Sequence, residues 1–182
     1  MARALVPLAS GCEDLEAVTL IDVLRRGGID VVVAGLAPGP VKGARGTVFV
    51  PDTDLERVKN EAFDLVVLPG GQPGTEHLRA DGRIAELLKR RAAAGAWVAA
   101  VCAAPQVLAE AGLLEGKAAT SYPGVLEKAP HGARITDLPV VVDGRVLTGR
   151  SAGMALDFAL ALVEALRGKA VRTETEERLV RR

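Results

Sequence analysis

Cysteine and aromatic side chains are scarce in this chain of 182 residues. The two cysteines, Cys12 and Cys102, are too few for a disulfide framework and stand in no zinc-ligand spacing. Aromatic residues amount to 3%, which does not supply a base-stacking platform for nucleic acid. Neither sign of charge is in excess: 23 Lys and Arg balance 23 Asp and Glu, so no global basic field attracts a polyanion. Apolar runs are interrupted by Gly, Pro or charge well short of the ~20 residues of a membrane span. The opening stretch, MARALVPLASGCEDLE, meets acidic residues too early for a secretory apolar region and reads as a first strand. The histidines, His77 and His131, stand in neither metal nor triad spacing. The expectation is a cytoplasmic protein with no metal or cofactor and no nucleic-acid or membrane partner.

What remains is 49% hydrophobic and 25% charged, an ordinary globular composition. The length suits one domain over 1–182, with a polar tail from about 170 that reads as a surface helix or a frayed end, and a core that needs no covalent staple. Short apolar runs predict strands at 3–9, 29–36, 46–50, 63–68 and 96–101. Helical periodicity predicts helices at 14–27, 54–61, 81–94, 103–111 and 153–167. Residues 139–142 and 145–148 read as a hairpin about Asp143-Gly144, a type I′ signal, and 116–135 as loop-rich. Alternating strands and amphipathic helices predict an α/β sandwich of doubly wound type, with a mostly parallel sheet and helices on both faces. Ligands of such sheets bind beyond the carboxyl ends of the strands, which directs attention to the loops at 10–13 and 69–75 and to Cys102.

Cys102 lies in AAVCAAP, between a buried strand and a helix, among small neighbours that a sharp strand-to-helix elbow requires. A thiol at a helix N-terminus is favoured as thiolate, although a buried structural cysteine fits the pattern equally well. Glu16 falls inside the apolar arc of helix 14–27, with Ala17, Leu20, Val23 and Leu24, while Asp14, Asp22, Arg25 and Arg26 group on the opposite side. A carboxyl on a core-facing stripe is either paired or protonated, and groups of this kind gather at active sites; a first-turn Glu serving the helix dipole is the alternative. Gly70-Gly71 after Pro69 can turn backbone N–H groups into a small anion-binding nest or form a plain loop. The bland reading is preferred for the remaining residues: Cys12 as a small loop residue rather than a resolving thiol, and both histidines as surface groups.

On these residues the sequence resembles the ThiJ/PfpI superfamily in its DJ-one branch. The resemblance runs over about residues 3–170 and is carried by ALVPLASGCEDLEAV, DVLRRGGIDVVVAGL, DLVVLPGG, AAVCAAP and FALALVEALRGK. It implies a flavodoxin-like single-domain sandwich and a homodimer. It also implies Cys102 as the reactive elbow cysteine and Glu16 as the buried acid touching it. Gly70, Gly71 and Ala103 would form the backbone pocket, with Arg26, Arg45, Tyr122 and Cys12 as supporting residues. The activity implied is cofactor-independent processing of reactive α-oxoaldehydes, methylglyoxal to lactate without glutathione, with protein deglycation as related chemistry. A redox sensor or chaperone-like stress protein acting through oxidation of Cys102 is the alternative. Two positions depart from relatives: Ala103 stands where the peptidase-like branch has His, which argues against peptidase activity. Tyr122 stands where many relatives carry His, and a phenol of pKa ~10 is a poor base at neutral pH. Nothing in the sequence supports the role in thiamine synthesis that the older family name suggests.

Overall fold

The computed structural model describes residues 1–129 and 131–180. The chain runs β1 (Arg3–Leu8), α1 (Asp14–Arg26), β2 (Asp30–Gly35), β3 (Val41–Lys42), β4 (Val48–Phe49), β5 (Thr53–Asp54), α2 (Leu55–Val58) and β6 (Leu65–Leu68). It continues through α3 (Gln72–Ala80), α4 (Gly82–Ala93), β7 (Trp97–Val101), α5 (Pro105–Glu110), β8 (Ala118–Ala119) and β9 (Arg134–Ile135). The last elements are β10 (Val140–Asp143), β11 (Val146–Gly149), α6 (Ala155–Arg167) and α7 (Lys169–Arg178). One seven-stranded sheet has the order β10-β11-β7-β6-β1-β2-β5, parallel throughout except at the edge pair β10–β11.

Alternation along the strands divides the core into two layers. Ala4, Val6 and Leu8 of β1 face one side, with Leu20 and Leu24 of α1 and Phe158 and Leu162 of α6. Leu5 faces the other, with Leu78 of α3, Leu87 of α4 and Leu108 of α5. The expected α/β sandwich with helices on both faces is therefore present, and its strand order reverses beside β1, the kind of place where doubly wound sheets bind ligands.

Several local expectations need correction. The strand at 46–50 contracts to β4, which pairs with β3 in a separate two-stranded sheet. The stretch 69–75 is not all loop, because α3 starts at Gln72, with Gly71 at φ +88° as its N-cap and Leu78 buried. The hairpin turn lies one residue later than expected: Asp143 pairs with Val146, leaving Gly144 and Arg145 as the turn residues. Only Gly144 has positive φ, which is the II′ pattern and not I′. The polar tail, by contrast, forms the helix that was one of its two expected states, α7, tied down by buried Thr175 and by Val171 and Leu179 packed on the core.

Candidate active site

Three strand ends bring the site together. The loop after β1 is anchored by two backbone bonds, Gly11 N–H to the Lys42 carbonyl at 2.8 Å and Glu13 N–H to the Gly70 carbonyl at 2.9 Å. It delivers α1 with Glu16 on its core-facing stripe, fully buried. The loop after β6 returns the contact: Gly70 N–H donates to Glu16 Oε2 at 2.7 Å. A Cβ at Gly70 would lie 2.7 Å from that oxygen and 2.8 Å from both the Cys102 Cβ and the Val101 carbonyl, so only glycine fits. The Gly70 N–H is thus already committed to Glu16, and the backbone pocket at the sulfur reduces to the N–H groups of Gly71 and Ala103.

Cys102 has φ +64°, in the left-handed region that costs a non-glycine residue about 1–3 kcal/mol and persists only where surrounding bonds fix it. Its N–H donates to the Gly149 carbonyl at 2.9 Å, and its carbonyl accepts from Tyr122 N–H at 2.7 Å. These bonds clamp the elbow from two sides while buried Ala103 and Ala104 leave room for the turn. The thiol itself is half-buried.

The electrostatics of the pair differ from the expected helix-terminal thiolate. Burial pushes the Glu16 carboxyl up to about 7, against the opposing effects of the Gly70 N–H and the Cys102 thiol. Burial, and then the negative charge of Glu16, pushes the Cys102 thiol up to about 12. The helix that was to depress it, α5, starts only at Pro105 and has six residues. The coulombic part of the rise exists only while Glu16 is ionised. Once Glu16 takes a proton near neutrality, its O–H becomes a donor, and Gly71 and Ala103 N–H groups favour negative charge on sulfur. Glu16 Oε1 has no N–H or O–H partner, which leaves it free for the thiol or for a reacting group. Cys102 and Glu16 therefore titrate as one coupled unit.

The other candidates are spread more widely. The Tyr122 ring is exposed, and the residue holds the elbow through its backbone. Cys12 is fully buried and free, its thiol pushed up to about 11 by burial and by Asp14. Arg45 is exposed, with Nε 3.9 Å from Glu13 Oε2. Arg26 pairs with Asp22 at 2.6 Å on the solvent side, ten residues and about 15 Å along the helix from Glu16. His77 is exposed with Nδ1 2.8 Å from the Ser10 carbonyl and lines a separate cleft of about 710 Å³ that contains neither Cys102 nor Glu16.

Two acids went unnoticed or misplaced in the sequence. Glu13, at the i−3 position from Glu16 and so on the same helix side, raises the Glu16 and Cys12 pKa values through its charge. Asp14 was expected on the charged solvent side of α1, but it is buried and accepts the backbone N–H groups of Arg45 and Thr47, each at 2.8 Å. Burial alone would raise its carboxyl; the bonds from Thr47 and Arg45 outweigh that and hold it below the usual carboxylate value. Among the described residues, no group of His, Cys, Asp and Glu is arranged to hold a metal ion, and no helix is long and apolar enough to cross a membrane.

Comparison with known proteins finds relatives in sequence and in fold. The sequence model of the DJ-1/PfpI family matches residues 2–165. Protein dj-1beta of Drosophila melanogaster is 44% identical over 168 residues, covering 91% of this chain and 90% of the relative. A Caenorhabditis elegans protein named glutathione-independent glyoxalase DJR-1.2 is 39% identical over 156 residues, covering 86% and 83%. The crystal structure of Drosophila melanogaster DJ-1beta superposes with a TM-score of 0.95 at 41% identity, covering 98% of this chain and 97% of that one. The structure of oxidized Toxoplasma gondii DJ-1 gives 0.94 at 36% identity, covering 99% and 98%.

Proposed function

The chain belongs to the DJ-1/PfpI family, and from that premise we propose that it is a cysteine enzyme converting α-oxoaldehydes to 2-hydroxy acids without glutathione, methylglyoxal to lactate being the test reaction. The observation that carries the reading is a fully buried carboxyl, Glu16, fixed by Gly70 against an elbow thiol that two backbone N–H groups face. The name of the Caenorhabditis elegans relative supports it.

The residues suffice for a balanced sequence. Glu16 takes the thiol proton, and Cys102 sulfur attacks the aldehyde carbon to give a hemithioacetal. The N–H groups of Gly71 and Ala103 stabilise the oxyanion as it forms. Glu16 returns the thiol proton to that oxygen, and the regenerated carboxylate then carries the hydrogen of the carbon, as a proton, to the neighbouring carbon through an enediol, leaving a lactoyl thioester. Water cleaves the thioester, giving lactate and free thiol; the net change is addition of one water to the aldehyde. No step requires the Tyr122 hydroxyl. Protein deglycation draws on the same hemithioacetal chemistry.

The test is lactate formation from methylglyoxal without glutathione, beside Cys102→Ser. Many turnovers lost in the variant support the enzyme. Less than one lactate per subunit sinks it.

One observation favours a second reading. The unpartnered Glu16 Oε1, when protonated, can donate to an oxygen placed on sulfur, which suits peroxide oxidation of Cys102 to sulfinate with release of water at each step. A sensor of this kind consumes a fixed amount of peroxide per thiol.

The partner is proposed to be a second copy of the chain. Leu15, Val18, Val48 and Val50 are exposed together on α1 and the β3–β4 ribbon, beside hollows lined by Ile21, Phe49 and Leu156. A concentration of exposed apolar groups of this kind marks an interface. The proposed location is the cytoplasm.

A further inference from the structure

One cleft of the molecule has no part in the thiol chemistry. It opens beyond the carboxyl ends of β1 and β2, and the junction of α3 and α4 forms its other side. Its volume of about 710 Å³ lies within the roughly 300–1,000 Å³ of small-molecule sites. Leu8, Leu36 and Val41 give it an aliphatic lining. Pro38, Pro40 and the His77 imidazole add walls made of rings, and proline loses no rotamer freedom when a ligand covers it.

The charged groups at the cleft are already committed. The Arg83 guanidinium donates to Asp81 at 2.9 and 2.6 Å, to the Leu36 carbonyl at 2.8 Å and to Glu56 at 3.1 Å. Lys59 pairs with the same Glu56 at 2.6 Å, so two positive charges stand against two negative and the cluster is neutral as a whole. The start of α4 would otherwise attract an anion, but the Asp81 carboxylate caps it, accepting the Arg83 backbone N–H at 3.0 Å. His77 is different. Its Nδ1 lies 2.8 Å from the Ser10 carbonyl, which can only accept, so Nδ1 carries the proton and the neutral ring keeps Nε2 as a bare acceptor.

We propose that this cleft binds a small neutral aromatic molecule bearing an O–H or N–H donor, with its ring on the aliphatic lining and its donor on His77 Nε2. Among the described residues lining the cleft, an anion finds no uncommitted cation and a cation no uncommitted carboxylate. The proposal is independent of the aldehyde reaction, because the cleft contains neither Cys102 nor Glu16.

The experiment titrates phenol, toluene and benzoate into the isotope-labelled full chain at about pH 8 and follows the amide chemical shifts. Phenol is expected to bind in the millimolar range, with shifts centred on residues 9–10, 36–37 and 80–83 and none at Gly70 or Cys102. Toluene has the shape of phenol without the donor and is expected to bind roughly threefold or more weakly, and benzoate roughly tenfold. His77→Phe keeps a ring but removes the acceptor, and the preference for phenol over toluene is expected to vanish. Gly82→Phe fills the mouth: a Cβ there meets no atom within 4 Å, so the fold has room for it, and phenol affinity is expected to fall at least roughly tenfold. Ala80→Trp, on the exposed end of α3, is the second plug if Gly82→Phe does not fold. Absence of saturable shifts at about 20 mM phenol overturns the proposal. So do shifts centred on Gly71, Cys102 and Ala103, or unchanged phenol affinity in a folded plugged variant. Equal affinity for phenol and toluene, or for phenol and benzoate, overturns it as well, and so does a phenol preference that persists in His77→Phe.

Discussion

At the scale of the residue, the site depends on what Glu16 does with its proton. Folding raises its pKa from 4.5 to about 7, so its contribution to stability is complete below pH 4.5 and is lost as pH rises through 7. That difference is on the order of 3 kcal/mol for a fully buried group. Wild type is therefore expected to lose melting temperature between pH 5 and pH 8, and Glu16→Gln, which keeps an acceptor for Gly70 N–H but no ionisation, to show a flatter curve. Equal curves by calorimetry would count against a buried, proton-exchanging Glu16. Glu16→Asp is expected to fold but to lose most activity, since a side chain one methylene shorter cannot hold the Gly70 N–H and also reach the sulfur. Gly70→Ala is expected to cost about 1–3 kcal/mol and to suppress Cys102 alkylation, because the new methyl falls on the Glu16 oxygen and the Cys102 Cβ. A variant as stable and as reactive as wild type would contradict the geometry.

At the scale of the element, the elbow is held by neighbours distant in sequence. Gly149 at the end of β11 accepts the Cys102 N–H, and a Cβ there would lie 2.8 Å from the Phe158 ring of α6. Gly149→Ala should lower the melting temperature by several degrees, as about 1–3 kcal/mol does in a domain of this size, and should disturb Cys102 reactivity through that bond. Unaltered reactivity in a destabilised variant would limit Gly149 to packing. The same dependence on distant partners explains what the sequence concealed. Glu16 was legible because its position on an apolar helical stripe is a local fact, and β1, β7 and α1 were legible from their patterns. Asp14 was not, since its burial depends on amides more than thirty residues away, at Arg45 and Thr47. The Cys102 pKa followed the same rule: a local argument from a helix end gave one direction, and burial beside Glu16 gave the other. Helix α3 escaped notice because Pro73 and Gly74 look like loop residues until Gly74 is seen lying against the Cys12 backbone, where a Cβ would meet it at 2.5 Å.

At the scale of the whole molecule, the exposed apolar groups on α1 and the β3–β4 ribbon border the segment that carries the site. Val50 is 82% exposed and Val48 60%, an unfavourable arrangement for an isolated chain in water. Sedimentation is expected to report a dimer for wild type and a folded monomer for the pair Val18→Glu with Val50→Asp. A monomeric wild type at micromolar concentration would refute the second-copy partner.

The commitment of the Gly70 amide to Glu16 has a consequence for how the molecule allots its one reactive atom. Two N–H donors, at Gly71 and Ala103, remain to face the sulfur. An oxygen bound to that sulfur after peroxide attack would draw on the same donors that a reacting aldehyde needs, and would occupy the space beside Glu16 Oε1 as well. On the two proposed readings, oxidation and turnover are rivals for a single seat. In a cell holding both peroxide and aldehyde, the ratio of the two would decide how many copies remain in service, with no second binding site and no change of shape required.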